Sequence, residues 1–274
     1  MNHVFLIVDT GTYESIIQSG FLRSEFAPSE ARTTIRRDYP DGYTGVYFYG
    51  NETYLEFLKA EGGPFPLGSF GIATGYETEG EIDRIKRQLE KTTDPATVEV
   101  DRERQGKPVK WFTALTVPSY PDCEGPHLWG MEYARSFVGD WLGDHNTELA
   151  GSICQKDVLT AYAQELGIKP LSDNALLKDI VSIEAVADAE QSESISSQLK
   201  SLGWRQQSGE NCRMLESNTT TISLRPARDG ASGGISKIGF SLSKNAGSER
   251  KMRFGSSKLV ISGTSAEWYF DTSV

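Results

Sequence analysis

A chain of 274 residues, 38% hydrophobic and 24% charged, can bury a substantial core as one large domain or two ordinary ones. Its formal net charge of −10 argues against nucleic acid as a partner, because phosphate binding needs a basic face. The three cysteines, Cys123, Cys154 and Cys212, form no C-x-x-C pair. Neither a zinc ribbon nor a disulfide framework is therefore expected, and buried, inert thiols are.

The first residues carry no basic flank, and the apolar run Val4–Val8 is too short for a signal peptide or a membrane span. A cytoplasmic protein with no membrane partner is expected. Residues 2–8 have apolar side chains at both parities, so they read as a strand buried on both faces. A short helix follows, with Tyr13, Ile16 and Ile17 on one side and Gly20 as its stop. The charged connection 21–43 includes a strand at Thr33–Arg37. Strands at Gly45–Tyr49 and Glu52–Leu58 flank the turn signal Gly50-Asn51.

The same order then recurs. Phe70–Thr74 is a short apolar strand, Thr78 and Glu81 have the spacing of a capping box, and Ile82, Ile85 and Leu89 form one helical stripe. Val98–Asp101, Val109–Val117 and His127–Ala134 are strands, and the alternating charges of 101–104 read as a solvated loop. Residues 136–176 form a helical connector, with a capping box at Ser152 and Gln155, an apolar side of Leu159, Tyr162 and Leu166, and stops at Gly167 and Pro170. A third unit fills 177–274. Its strand at Ile180–Val186 precedes a helix bearing Ile195, Leu199 and Leu202. Strands at Cys212–Glu216, Thr219–Leu224, Ile235–Leu242, Lys258–Ser262 and Glu267–Phe270 complete it. The class is α+β, with domains at 1–135 and 177–274 joined by the connector.

Three polar residues stand out against their apolar strands. His3 opens the first strand, Glu56 sits inside Tyr54–Leu58, and Glu132 sits inside Trp129–Tyr133. A carboxylate buried without a partner costs several kcal/mol, so each acid needs either a ligand or an arginine such as Arg32, Arg36 or Arg37. Tyr47, Tyr49, Tyr54, Trp111 and Trp129 gather on the same predicted strands. Core packing accounts for most of them, and an aromatic wall beside a few polar groups also describes a small-ligand pocket.

Several stretches carry a family resemblance: Asn2–Asp9, Tyr54–Phe57, Gly71–Lys91, Lys107–Trp111 and Pro126–Tyr133. Together they resemble the vicinal oxygen chelate superfamily of glyoxalase, bleomycin-resistance and dioxygenase-like proteins. The resemblance implies paired βαβββ modules forming a half-barrel over 1–135, with a third βαβββ-like module at the C-terminus. It implies a divalent metal (Zn, Mn, Ni or Fe) held by His3, Glu56 and Glu132, with Glu132 also the candidate catalytic base. The chain departs from the four-ligand pattern at Ser69 and Phe70, where a further ligand belongs. Strand parity sets His127 on the face opposite Glu132.

Three functions follow. The first is a metal-dependent enzyme acting on a small oxygen-rich or carbonyl substrate, which the metal would polarise. The second is a non-catalytic binder of a small molecule in the half-barrel, and the third is an assembly protein acting through its C-terminal module. In that module Ile180, Ile183, Val186, Ile222, Leu224, Ile238, Phe240, Leu259 and Ile261 need cover. Either the hairpin Lys258–Phe270 closes over them or a homodimer does, and the dimer is favoured.

Overall fold

The structure is a computed structural model that describes residues 1–36, 39–63, 65–104, 107–118, 126–142, 153–165, 175–207, 212–227 and 233–271. Strand β1 (His3–Val8) is buried along its whole length, as apolar side chains at both parities require. Asp9 then caps α1 (Thr10–Gln18), its carboxylate accepting from the Thr12 amide at 2.9 Å. After a π-helical turn at Leu22–Phe26 come β2 (Ser29–Arg36), β3 (Tyr39–Tyr49) and β4 (Tyr54–Lys59). The second module repeats this order with β5 (Phe70–Tyr76), α2 (Glu81–Leu89), β6 (Ala96–Arg104), β7 (Lys107–Thr116) and β8 (His127–Tyr133). In each module the last strand lies parallel to the first, and β1 meets β5 antiparallel. The result is a curled sheet in the order β2-β3-β4-β1-β5-β8-β7-β6, a half-barrel of paired βαβββ modules.

The connector supplies α3 (Arg135–Leu142) and α4 (Gln155–Glu165). Its expected capping residue Ser152 and stops Gly167 and Pro170 lie outside the described residues, as do Cys123 and Leu166. A second eight-stranded sheet follows. It is built from β9 (Leu177–Ala187), α5 (Ala189–Ser201), β10 (Arg205–Gln207), β11 (Arg213–Glu216) and β12 (Thr221–Pro226), then β13 (Gly234–Leu242), β14 (Arg250–Phe254), β15 (Ser257–Ser262) and β16 (Ser265–Tyr269). The odd third module of the sequence reading is thus a pair, and its fourth member has no helix. Residues 243–249 stand where a crossover helix would run. Where α2 carries the chain across, β5 and β8 are parallel; β13 and β16 are antiparallel. A short return can only make the antiparallel pairing, because a parallel one needs a crossover.

The space that helix would fill is taken by the first module. Trp268 of β16 is fully buried, with ring centroids 4.9 Å from Phe57, 6.3 Å from Phe48 and 6.2 Å from Phe26. Of the apolar positions that need cover in this half, all but the partly exposed Val186 are buried in one hydrophobic cluster spanning both sheets. Their cover comes from within the chain.

Polar contacts fix the seam. Asp179 Oδ1 accepts from the amides of Glu52 at 2.7 Å and Thr53 at 3.1 Å, and Trp204 Nε1 donates to Thr74 Oγ1 at 2.8 Å. Gly50 is required here, since a Cβ at that position would lie 2.5 Å from the Lys178 carbonyl oxygen. Two thiols contradict the expectation of burial: Cys154 is exposed and Cys212 partly so. Among the described residues no helix is long and apolar enough to cross a membrane.

Candidate functional site

Strand parity decides which of the sequence candidates meet. On β1, Val4, Leu6 and Val8 join the core shared with the second sheet, while Phe5 and Ile7 belong to a separate cluster on the concave face. His3 shares that face. Register places Tyr54 beside His3, Glu56 beside Phe5, and Tyr47 beside Glu56. Trp129 reaches the same face from β8, its ring 5.1 Å from His3. His127 is on this side as well, near the rim, 4.5 Å from Phe65.

Glu132 is on the other side. Its Oε1 accepts from the Gly80 amide and its Oε2 from the Ile82 amide, each at 2.8 Å. A carboxylate thereby satisfies the open amides and positive pole at the start of α2. This replaces the capping box expected from Thr78 and Glu81: the cap residue is Gly80, which offers no side chain. The expected pairing of Glu56 with Glu132 is corrected by the same geometry. A twofold relating β1 to β5 keeps every residue on its own face, so the counterpart of Glu56 lies among His127, Trp129 and Met131. With Glu132 spent on a helix cap, its role as catalytic base in the concavity falls too.

His3, Glu56 and Glu132 do not come together as ligands of one divalent metal. Among the described residues no three His, Cys, Asp or Glu side chains converge. His3 Nδ1 lies 2.7 Å from Asn2 Oδ1, and the ring stacks on Tyr54 at 4.2 Å and 13°. Burial lowers its pKa to about 3, so the imidazole is neutral.

Glu56 is the unusual group. It is 7% exposed, and its Oε1 has no hydrogen-bond partner among the described residues. Burial raises its pKa to about 7, partly offset by a hydrogen bond from Tyr47 and by the charge of Arg32. The carboxyl rests over Gly45, where a Cβ would lie 2.6 Å from Oε1, so glycine at this position makes the room. Arg32 does not pair with Glu56 directly. Its Nη1 lies 3.2 Å from Glu30, whose carboxylate also accepts from the Tyr49 hydroxyl. The side chains of Arg36 and Arg37, the other expected partners, are outside the described residues.

The aromatic candidates Tyr47, Tyr49, Tyr54, Trp111 and Trp129 do share the concavity, and α4 lies across it. Leu159 packs with Tyr47 and Tyr49, and Gln155 Oε1 accepts from Asn2 Nδ2 at 2.6 Å. Tyr162 stacks on Tyr49 and packs against Trp111, and Arg102 Nη1 donates to its hydroxyl at 2.8 Å. Arg102 belongs to β6 and not to a solvated loop. Its place in the site had no local signal, because charges alternate along 101–104. Gln155 and Tyr162 were read only as a capping residue and an apolar position of the connector, since nothing in the sequence says which face a connector helix covers.

Over residues 1–270 the sequence matches a family of unknown function (DUF5829). The chain belongs to that family. No curated protein sequence matches it. Among solved structures it is similar to a hypothetical protein from Staphylococcus aureus, with a TM-score of 0.51 and 12% identity, covering 83% of this chain and 85% of that one. It is also similar to an extradiol ring-cleaving dioxygenase from B. fuscum, with a TM-score of 0.39 and 13% identity over 81% of this chain and 51% of the other. The first likeness is one of fold; the second is too loose to bear on chemistry.

Proposed function

We propose that the concave face of the β1–β8 sheet is a metal-independent binding site for a small molecule, with Glu56 as its polar anchor. The observation that carries this reading is the orphaned Glu56 Oε1. A buried carboxyl oxygen without a partner costs on the order of 1–3 kcal/mol, and an incoming donor or acceptor relieves that cost. With its pKa raised to about 7, Glu56 can donate or accept near neutral pH. The aromatic wall of Tyr47, Tyr49, Tyr54 and Trp129 supplies the apolar contact that such sites use. The paired βαβββ architecture is also what the glyoxalase-like resemblance implies, and in that fold the divergence of His3, Glu56 and Glu132 favours a binder over a metal enzyme. A single chain is the working unit of this reading, since the sheets cover each other.

Metal content tests it. Protein purified without an affinity tag should carry no stoichiometric Zn, Mn, Ni or Fe by elemental analysis, and excess chelator should leave its melting temperature unchanged. A full equivalent of metal that is lost in Glu56→Gln would overturn the proposal and restore the metal-enzyme reading.

A further inference from the structure

Helix α5 packs against β8 of the first sheet as well as against its own sheet, and its two ends meet the first sheet differently. At the C-terminal end polar atoms cross the seam directly. Trp204 Nε1 donates to Thr74 Oγ1 at 2.8 Å, and the Tyr76 hydroxyl donates to the Leu202 carbonyl at 2.9 Å. Nearer its start lies a cavity of about 620 Å³, bordered by Ser194 and Gln198 of α5 and by Leu67, Phe70 and Leu128 of the first half. A helix face turned to a sheet is ordinarily apolar, yet Ser194 and Gln198 are only 2% and 7% exposed. Gln198 Nε2 donates to Ser194 Oγ at 3.1 Å, and among the described residues neither side chain makes another hydrogen bond. Ser196, two residues on, donates to the Ser192 carbonyl at 2.7 Å, as serines inside helices commonly do. Ser194 is not bonded in that way. Its hydroxyl proton, the Gln198 amide oxygen and the second Gln198 N–H are left for whatever fills the cavity.

We propose that this cavity binds a neutral sugar in its ring form, at a site separate from the concave face and independent of how that face is read. The size fits, since small-molecule sites enclose roughly 300–1,000 Å³. The border excludes an ion: among the described residues that form it, none is Asp, Glu, Lys or Arg. His127 also borders the cavity, and burial lowers its pKa, so its imidazole is neutral near pH 7. A charged ligand would shed its hydration there without a counter-ion. The hydrogen-bonding capacity left over selects hydroxyls. Gln198 offers an acceptor and a donor, Ser194 offers a donor, and a hydroxyl answers both kinds. Opposite α5 the border is apolar: Phe70 opens β5, Leu128 lies at the start of β8, and Leu67, 42% exposed, is open to solvent. The C–H face of a sugar ring covers such a surface, which water alone would leave wetted.

The probes are the methyl pyranosides of glucose, galactose and mannose, titrated against the full chain by saturation-transfer NMR. At least one should bind saturably. Glucuronate, which adds a charge, and cyclohexanol, which keeps a single hydroxyl, should both bind more weakly. Gln198→Leu should weaken the sugar about tenfold and Ser194→Ala about threefold, the range expected for lost neutral hydrogen bonds. The melting temperature separates a site from a structural role. Gln198→Leu removes polar atoms that the protein itself leaves unmet, so its melting temperature should hold or rise. A lowered melting temperature with unchanged sugar affinity overturns the inference. So does a native chain that binds none of the three sugars, or that binds glucuronate as tightly. If Gln198→Leu does not fold, Ser194→Ala decides, and an unchanged affinity there overturns the inference. Glu56→Gln keeps the two sites apart, and sugar binding to it should match native. A loss of sugar binding in Glu56→Gln but not in Gln198→Leu would move the sugar to the concave face, overturning this inference while supporting Glu56 as an anchor.

Discussion

Two residues of the concave face titrate in opposite senses, and their effects on stability oppose each other. Glu56 has a folded pKa raised to about 7 against an ordinary 4.5, so the folded state holds its proton more tightly. Its contribution is fully present below the unfolded value and is lost as pH rises from about 4.5 to about 7, on the order of 3 kcal/mol in all. His3 is depressed to about 3 against an ordinary 6.5, so its contribution is present above 6.5 and lost as pH falls toward 3. Between about pH 4.5 and 6.5 the two slopes cancel. Denaturant unfolding should therefore show nearly pH-independent stability there for the native protein. Glu56→Gln should show stability rising with pH, and His3→Gln should show it falling. Equal slopes in all three proteins would mean that neither group is buried as described. Both residues were legible in the sequence, because a histidine and a glutamate inside apolar strands are conspicuous. Glu132 was equally conspicuous and was misplaced, because its face depends on the register of β5 with β8, which no local pattern records. Arg102 was missed for the converse reason: its charge made an exposed loop the simplest reading.

The elements were easier to read than their contacts. The recurring order of strand, helix and three strands followed from hydrophobic period and turn residues, and both half-barrel modules form as that order implies. What failed was local chemistry borrowed from a distance. The Thr78–Glu81 spacing looked like a capping box, yet the α2 amides are bonded by Glu132 from β8. Glu132→Ala should therefore lower stability by about 1–2 kcal/mol, the usual worth of a cap reinforced by the helix dipole. Denaturant unfolding of the variant beside the native protein checks this. An unchanged stability would mean that Glu132 does not cap α2. Strand β14 escaped detection because Arg250–Phe254 is rich in charge, and β10 because all three of its residues are exposed.

Across the whole molecule, the decisive feature is one hydrophobic cluster running through both sheets, with Trp268 at the crossing. Trp268→Ala should cost about 3–5 kcal/mol, as large aromatic truncations in a core do. Because the cluster is continuous, unfolding should remain a single transition by fluorescence and circular dichroism alike. Two separated transitions in the native protein would show that the halves are independent units. The pairing of modules in the C-terminal half lay beyond the sequence, because a module without its helix does not look like one. That missing helix constrains the chain in another way. Surface loops as a rule accept added residues at small cost, since closing a longer loop takes little extra entropy. The bend at 243–249 does not share that latitude. A segment long enough to coil there would compete with Phe26, Phe48 and Phe57 for the flank of Trp268. Variation in length among related chains should therefore avoid this bend, and a graft placed in it would act as a wedge between the two sheets.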